Sequence, residues 1–597
     1  MTLSTPPTST DMATYKVYDW ERREKYWKTN MLVSWAHTYG KHDVGALIGY
    51  EESRNWGDEV DICKEGMSSV NLTDFDAMTD PYYIKGSSYE YSSRSWFGRI
   101  NYAFDNRYLF EMNMRYDGSS RFSPDSRWGL FPSFSAGWRI SEEEFMKDID
   151  WLSNLKLRAS WGKLGNNSIG NYEWQALYGS GYNYAFNSNK SNGLAMTTFS
   201  NYALEWEETA ITNIGLDFGV LNNRLNGTIE VYDKKTDGIL YRPTLPESLN
   251  QFTSPLQNLA GVNNKGLEIT LGWNDRVGDI SYSVSGNFTY NKNKVTKYKG
   301  ELVREWRTDA NGNKVWYQNV GTVANGSSNL IVEGHEMNEY CMMNPYKGNG
   351  SYFNSDGTVN INGGPKDGMI RTEADMKWLQ AMFDAGYKFY PNQAIGKDKI
   401  WYGDMIYADY NGDGIYGNDD DRDFQGVSWR PKYYFGLQAS MTWKGFDLSM
   451  NWAGAAGFKI DYYKQTQNSV SFTHGYGLGY DIAYDHYLFD PENPNDPRTN
   501  IYSETPRLVG YQNSGQASAT SSWHLKNGNY IKLKNLTIGY TFPKEWMKVA
   551  FIQNARVYLS GENLLTITKF EGSDPERMAG DGYMPIRQYT VGVNVTF

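Results

Sequence analysis

The closing segment Arg587–Phe597, RQYTVGVNVTF, sets Tyr589, Val591, Val593, Val595 and Phe597 at every second position, with Thr590, Gly592, Asn594 and Thr596 between them. A period of two is that of a β-strand with one apolar and one polar face. Most domains let their last residues fray, whereas this chain stops on an aromatic residue inside a strand pattern. The pattern recurs along the chain. Tyr108, Phe110, Met112, Met114 and Tyr116 alternate with Leu109, Glu111, Asn113, Arg115 and Asp117. Ile280, Tyr282, Val284, Gly286, Phe288 and Tyr290 alternate with Ser281, Ser283, Ser285, Asn287 and Thr289, and FDLSMNW (Phe446–Trp452) and LTIGYTF (Leu536–Phe542) repeat the scheme. Segments of about ten residues suit tilted strands crossing hydrocarbon. Helix-period stripes are nearly absent, so the chain is expected to be all-β.

The connections alternate between short and long. Asp105-Asn106, Leu221 to Asn223, Asn274 to Asp279 and Lys444-Gly445 read as tight hairpin turns. Asn55 to Glu90, Gly162 to Asn201, Val295 to Gln425 and Asp461 to Trp523 read as long loops. Turns at one end and elaborate loops at the other are the asymmetry of an outer-membrane barrel, with the loops outside. About 14–16 strands are expected, in a single antiparallel transmembrane β-barrel spanning 1–597. Traced forward, Phe597 falls at the short-turn, periplasmic rim. The one convincing helix is Thr372–Ala385, closed by Gly386 inside the longest loop.

Composition agrees. With 58 Lys plus Arg against 69 Asp plus Glu the net charge is −11, and without a basic run this argues against nucleic-acid binding. A mean hydropathy of −0.65 and the lack of any run of about 20 apolar residues exclude a helical membrane protein. A barrel hides its apolar half in alternation, so polarity leaves that class open. Cys63 and Cys341 lie far apart without CxxC spacing and suit neither a disulfide framework nor a zinc site. The opening MTLSTPPTSTDMATYK has no basic segment followed by an apolar one, so it does not read as a signal peptide.

One stretch has metal-ligand spacing. Asp409, Asn411, Asp413, Gly414, Ile415 and Asp420 fit the D-x-[DN]-x-[DN]-G start of a calcium loop, with oxygens at positions one, three and five and a carbonyl at seven. Position twelve is Asp rather than Glu, and the flanks are not EF-hand helices. A solvated turn explains the same residues equally well, and a bound Ca2+ would stiffen an outer loop. No nucleophile elbow, H-E-x-x-H or P-loop is present, so no catalytic residue is assigned and the chain is not expected to be an enzyme. Glu142, Glu143 and Glu144 read as a polar turn or helix start. Trp174, Tyr178, Tyr182, Tyr184 and Trp401 can stack on sugar rings, or serve as girdle or loop-core aromatics.

Several segments resemble the SusC/RagA family of TonB-linked outer-membrane transporters. They are MRYDGSSRFSPDSRWGLFPSFSAGWRISEEEF (Met114–Phe145), YADYNGDGIYGNDDDRDFQG (Tyr407–Gly426), LKNLTIGYTFP (Leu533–Pro543), RVYLSGENLLTITKFEGSDPE (Arg556–Glu576) and the closing strand. The resemblance implies a 22-strand barrel in outer-membrane lipid that imports oligosaccharides or peptides with a SusD-like surface lipoprotein. It implies energy delivered by TonB through a plug domain, and a terminal aromatic, Phe597, read by the barrel assembly machinery. Signal peptide, plug and first strands precede the matching region in that family, so the chain is expected to correspond to the C-terminal barrel portion. A self-contained passive porin is the alternative, and a soluble sugar-binding β-protein a more distant one.

Overall fold

Hairpin geometry sets the architecture. Asp105 and Asn106 both adopt positive φ (51° and 56°), as do Leu221, Asn222 and Asn223 and the pair Lys444-Gly445. Turns of this hand match the twist of the flanking strands. The computed structural model describes residues 15–67, 72, 74–186, 189–243, 245, 247–249, 252–325, 329–462, 484–508, 519, 521–547, 552–577 and 583–597. Fifteen strands form one sheet in chain order: β1 Lys16–Tyr39, β2 His42–Met67, β3 Met78–Phe104, β4 Tyr108–Ser119, β5 Trp128–Arg139, β6 Leu152–Asn166, β7 Glu207–Val220, β8 Leu225–Tyr241, β9 Gln257–Val277, β10 Ile280–Lys297, β11 Tyr433–Trp443, β12 Phe446–Ala456, β13 Tyr530–Thr541, β14 Asn554–Thr568 and β15 Gln588–Thr596.

The expected alternation is present in three dimensions. In β13 to β15 Ile538, Leu559 and Val591 stand opposite one another on one face and are 49, 52 and 80% exposed. Exposure on that scale for a whole face of aliphatic and aromatic side chains identifies a surface meant for lipid. Among the described residues, no helix is long and apolar enough to cross a membrane.

Two boundaries differ from the sequence expectation. The stretch from Asn55 to Glu90 is mostly strand: β2 continues to Met67 and β3 resumes at Met78. Outside hydrocarbon a strand needs no apolar face, so the period-two signal disappears while pairing persists. Polar partners hold it instead, including Arg54 to Glu90 at 2.9 Å, Asn55 to Glu24 at 2.6 Å and Ser53 to Ser93 at 2.7 Å. The turn expected at Asn274 to Asp279 narrows to Gly278 and Asp279, because β9 runs on to Val277. Within the expected loop Asp461 to Trp523, residues 463–483, 509–518 and 520 lie outside the described residues.

The chain divides into two units, one of residues 1–147, 156–214 and 234–261, the other of 148–155, 215–233 and 262–597. In the first, the Glu142–Glu144 run forms tight 3-10 turns. Glu143 there accepts hydrogen bonds from Tyr108, Trp138 and Arg107. The second unit contains the folded part of the loops Val295 to Gln425 and Asp461 to Trp523. There Tyr346, Ile370, Trp378, Leu379, Met382, Phe389, Ile400, Ile406 and Tyr416 close a core of their own. The helix Glu373–Asp384 supplies three of these side chains. Thr372 caps it and Asp375 returns the bond to the Thr372 amide at 2.8 Å, a capping box. Gly386, at φ 94°, ends the turn that follows. A side chain is excluded at Gly364, where φ is 77° and a Cβ would lie 2.7 Å from the Trp378 ring.

Candidate functional site

Of the candidate metal ligands, the structure brings Asp409, Asn411 and Asp413 into one tight turn. The Asp409 carboxylate accepts from the backbone amides of Gly412 (2.6 Å), Asp413 (3.2 Å) and Gly414 (2.9 Å). Asn411 accepts from the Asp413 amide and Asp413 from the Ile415 amide. Gly412 and Gly414 occupy positive φ, which allows the carboxylate to collect successive N–H groups. Asp420 points elsewhere, accepting from the Gln318 side-chain amide. Among the described residues, no group of three or more His, Cys, Asp and Glu side chains is placed to hold a metal ion.

Asp421, absent from the candidate set, organises the other half of the loop. It is almost fully buried and accepts from the amides of Tyr410 (2.7 Å), Gly417 (2.8 Å) and Asn418 (3.1 Å). Burial pushes its carboxyl up to about 6, the three amides opposing that rise. The hairpin Arg304–Thr308 with Lys314–Gln318 is strapped onto this loop. Trp306 donates to the Asn411 carbonyl at 3.0 Å, and Arg304 donates to the carbonyls of Asp420 and Arg422 while covering the Tyr410 ring at 4.5 Å. The acidic motif is thus the knot of a brace.

A second set of contacts locks the two long loops together. Asp404, 1% exposed, is gripped by Arg507 through two hydrogen bonds of 2.8 Å. Arg371 donates to the carbonyls of Ile501 and Ser503, both at 2.8 Å, and Tyr487 donates to the Arg371 carbonyl at 2.6 Å. The Arg507–Asp404 and Arg371 bonds are charge-assisted and largely shielded from water, which makes them stronger than exposed neutral ones. In the same loop assembly a cleft of about 840 Å³ opens, lined by Tyr346, Tyr387, Tyr416, Trp523, Asn344 and Asp409. The half-buried rings of Tyr387 and Trp523, beside the Asn344 amide, can stack on a ring and hydrogen-bond its edge.

Of the aromatic residues proposed from sequence, Trp401 packs on Tyr402 in the loop core. In the other unit Trp174 packs edge-on to Tyr202, while Tyr178, Tyr182 and Tyr184 are 67, 54 and 68% exposed. Tyr387 and Trp523 in the cleft were missed, since only folding of the separate loops brings them together. Their one sequence signal is position, Tyr387 following the glycine that ends the helix. Cys63 and Cys341 are both free and buried. Phe597 is 79% exposed, one residue beyond β15.

A large antiparallel sheet with an apolar outer face, tight turns and folded loops defines an outer-membrane β-barrel. The chain belongs to the family described as TonB dependent receptor-like, beta-barrel, which it matches over residues 3–368. It is 28% identical over 586 residues to the TonB-dependent receptor SusC of Bacteroides thetaiotaomicron, which covers 95% of the chain and 50% of SusC. It is 30% identical over 599 residues to the TonB-dependent receptor P26 of Formosa agariphila, covering 96% of the chain and 53% of that protein. Among solved structures, the RagAB peptide transporter superposes with a TM-score of 0.73 at 23% identity, over 98% of this chain and 56% of that one. This last likeness shows the fold. The chain spans about half the length of the curated relatives it matches. The family is one of outer-membrane receptors and not an enzyme class.

Proposed function

We propose that this chain is the barrel portion of a TonB-dependent transporter that imports oligosaccharides or peptides across the outer membrane. A SusD-like surface lipoprotein is the expected partner on the loop side, with TonB acting through a plug domain outside the region described. The domain reading goes with it: one C-terminal barrel whose loops, 295–425 above all, form the outer surface. The observation that carries this reading is the coexistence of a lipid-facing wall with a loop assembly that has its own buried core and an aromatic cleft. Long structured loops on a rigid wall are where barrels of this kind contact cargo. The two relatives also favour it, one being a TonB-dependent receptor and the other a peptide transporter.

Uptake of labelled oligosaccharide and peptide mixtures by cells carrying the complete protein tests the proposal. Deleting TonB is expected to abolish uptake, and deleting the SusD-like lipoprotein to lower it. A passive porin would instead swell liposomes with small solutes and ignore TonB, and that result would overturn the transport reading.

Calcium at Asp409, Asn411, Asp413, Ile415 and Asp420 belongs to the same proposal as a stiffener of the outer loop. It requires Asp420 to leave Gln318 and the Asp409 carboxylate to leave its amides. Calorimetric heat on adding Ca2+, lost in Asp409→Ala, is the expected sign; an absence of heat removes it.

A further inference from the structure

The register of the second unit places side chains in rows that no single strand displays. On the polar face Ser283 pairs with Ser440, Ser440 with Ser449, Ser449 with Thr537, Thr537 with Ser560 and Ser560 with Thr590. Six consecutive strands, β10 to β15, therefore carry a hydroxyl at the same level. The next row on the loop side reads Ser285, Gln438, Asn451, Asn535, Glu562 and Gln588, again partner to partner. Neighbouring strands lie about 4.8 Å apart, so the groups form a continuous ladder. The Thr537 and Ser560 hydroxyls are 2.9 Å apart, and none of the residues in either row is buried. A shallow hollow of about 280 Å³ lies against the part of the band formed by Ser283, Ser440, Ser449, Asn451 and Asn535.

Two clusters of charge flank the band, one on each side, and within each the charges are paired. On the short-turn side Arg556 grips Asp447 through two bonds of 2.8 and 2.6 Å. On the loop side Lys532, 2% exposed in its side chain, donates to both oxygens of Asp574 at 2.6 Å and to Glu576 at 2.8 Å. Between these pairs the band presents hydroxyls and amides with a single carboxylate, Glu562. The first unit differs: the corresponding face of β3 and β4 carries Arg99, Glu111, Arg115 and Asp117.

We propose that this hydroxyl and amide band is the selectivity element of the lumen, along which an uncharged, polyhydroxylated cargo passes while ionised cargo of the same length is disfavoured. The inference rests on the transport reading and deepens it. Hydroxyl and amide groups both donate and accept, so they exchange bonds with a sliding sugar chain without fixing it. An ionised cargo loses hydration in the lumen and meets no unpaired counter-charge on the band beyond Glu562. Lumen side chains are where barrels set selectivity.

The test uses the complete transporter, in cells where it is the sole route, with three labelled probes: neutral hexasaccharides from α-glucan, fructan and mannan, oligogalacturonides of equal length, and hexapeptides. TonB-dependent uptake of a neutral probe, with the two ionised probes lower by about ten-fold or more, is the expected result. The double variant Ser440→Lys, Ser449→Lys should cut neutral uptake by about ten-fold at unchanged surface level and cell-surface binding, while Ser440→Thr, Ser449→Thr stays within about two-fold. TonB-dependent uptake of peptides or oligogalacturonides as fast as neutral sugars overturns the inference and leaves transport standing. A lysine variant that leaks a large antibiotic without energy also overturns it, assigning the band to contact with the protein's own plug. No TonB-dependent uptake of any probe overturns the transport reading, and the inference with it.

Discussion

The wall and the loop assembly of the second unit use the same apolar residues in opposite ways. In the wall Leu437, Met441, Ile538 and Leu559 stand 37 to 52% exposed on an outward face. In the loops Ile370, Trp378, Leu379, Met382, Ile400 and Ile406 are fully buried. The loops fold as a water-soluble domain does, by removing apolar area from water. The wall satisfies its backbone through strand pairing and leaves its apolar face to lipid. A mutation should therefore report which solvent a residue faces.

Trp378→Ala is expected to have the largest effect. Its ring stacks on Tyr346 at 5.4 Å, fits against Gly364 and donates to the Asn360 carbonyl at 2.8 Å. Truncation should cost about 3–5 kcal/mol, all of it in the loops. Limited proteolysis should then cut between 300 and 430 while the heat-resistant mobility of the barrel on gels is unchanged. If the barrel itself loses that mobility, the loops and wall are one cooperative body and the comparison fails.

Leu559→Arg probes the wall. A cation on the lipid face should cost about 2–4 kcal/mol near the bilayer midplane and less toward the interfaces, read as the denaturant midpoint of folding into vesicles. Serine at the same site should be milder. An unchanged midpoint for the arginine variant would mean that this face is covered by protein and not by lipid.

The smallest effect is a pH dependence confined to the loop. The Asp421 carboxyl is raised from an ordinary 3.8 to about 6 by burial, so the folded loop holds this proton more tightly than the unfolded chain. Its contribution to stability is complete below about pH 4 and is lost as pH rises through about 6. Corrected hydrogen exchange of the Tyr410, Gly417 and Asn418 amides should speed up across that interval, and Asp421→Asn should flatten the profile. A profile unchanged in the variant would place the titration elsewhere.

Much of this was legible in the sequence because it is local. Alternation in Ile280–Tyr290 or Leu536–Phe542 depends on one strand, the Asp105-Asn106 and Lys444-Gly445 turns on a few dihedral angles, and the helix after Thr372 on its cap and closing glycine. The strand extensions Asn55–Met67 and Met78–Glu90 escaped notice because outside lipid their pattern carries no apolar stripe. The acidic motif displayed its spacing but not its partners. Asp409 turns to its own amides, Asp420 to Gln318, and Asp421, outside the motif, gathers three more.

What the sequence by itself determined is therefore the class of wall, its two faces and which end carries the loops. Only the tertiary structure decided the aromatic cleft and the hydroxyl row from Ser283 to Thr590. Each row depends on register, which is set by the turn lengths and by irregularities such as those between Asn451 and Trp452 and between Leu533 and Asn535. A slip of one residue in any of these strands would send its hydroxyl to the lipid face and break the row. Periodicity fixes what each strand is, and the pairing of distant strands fixes what their side chains make together.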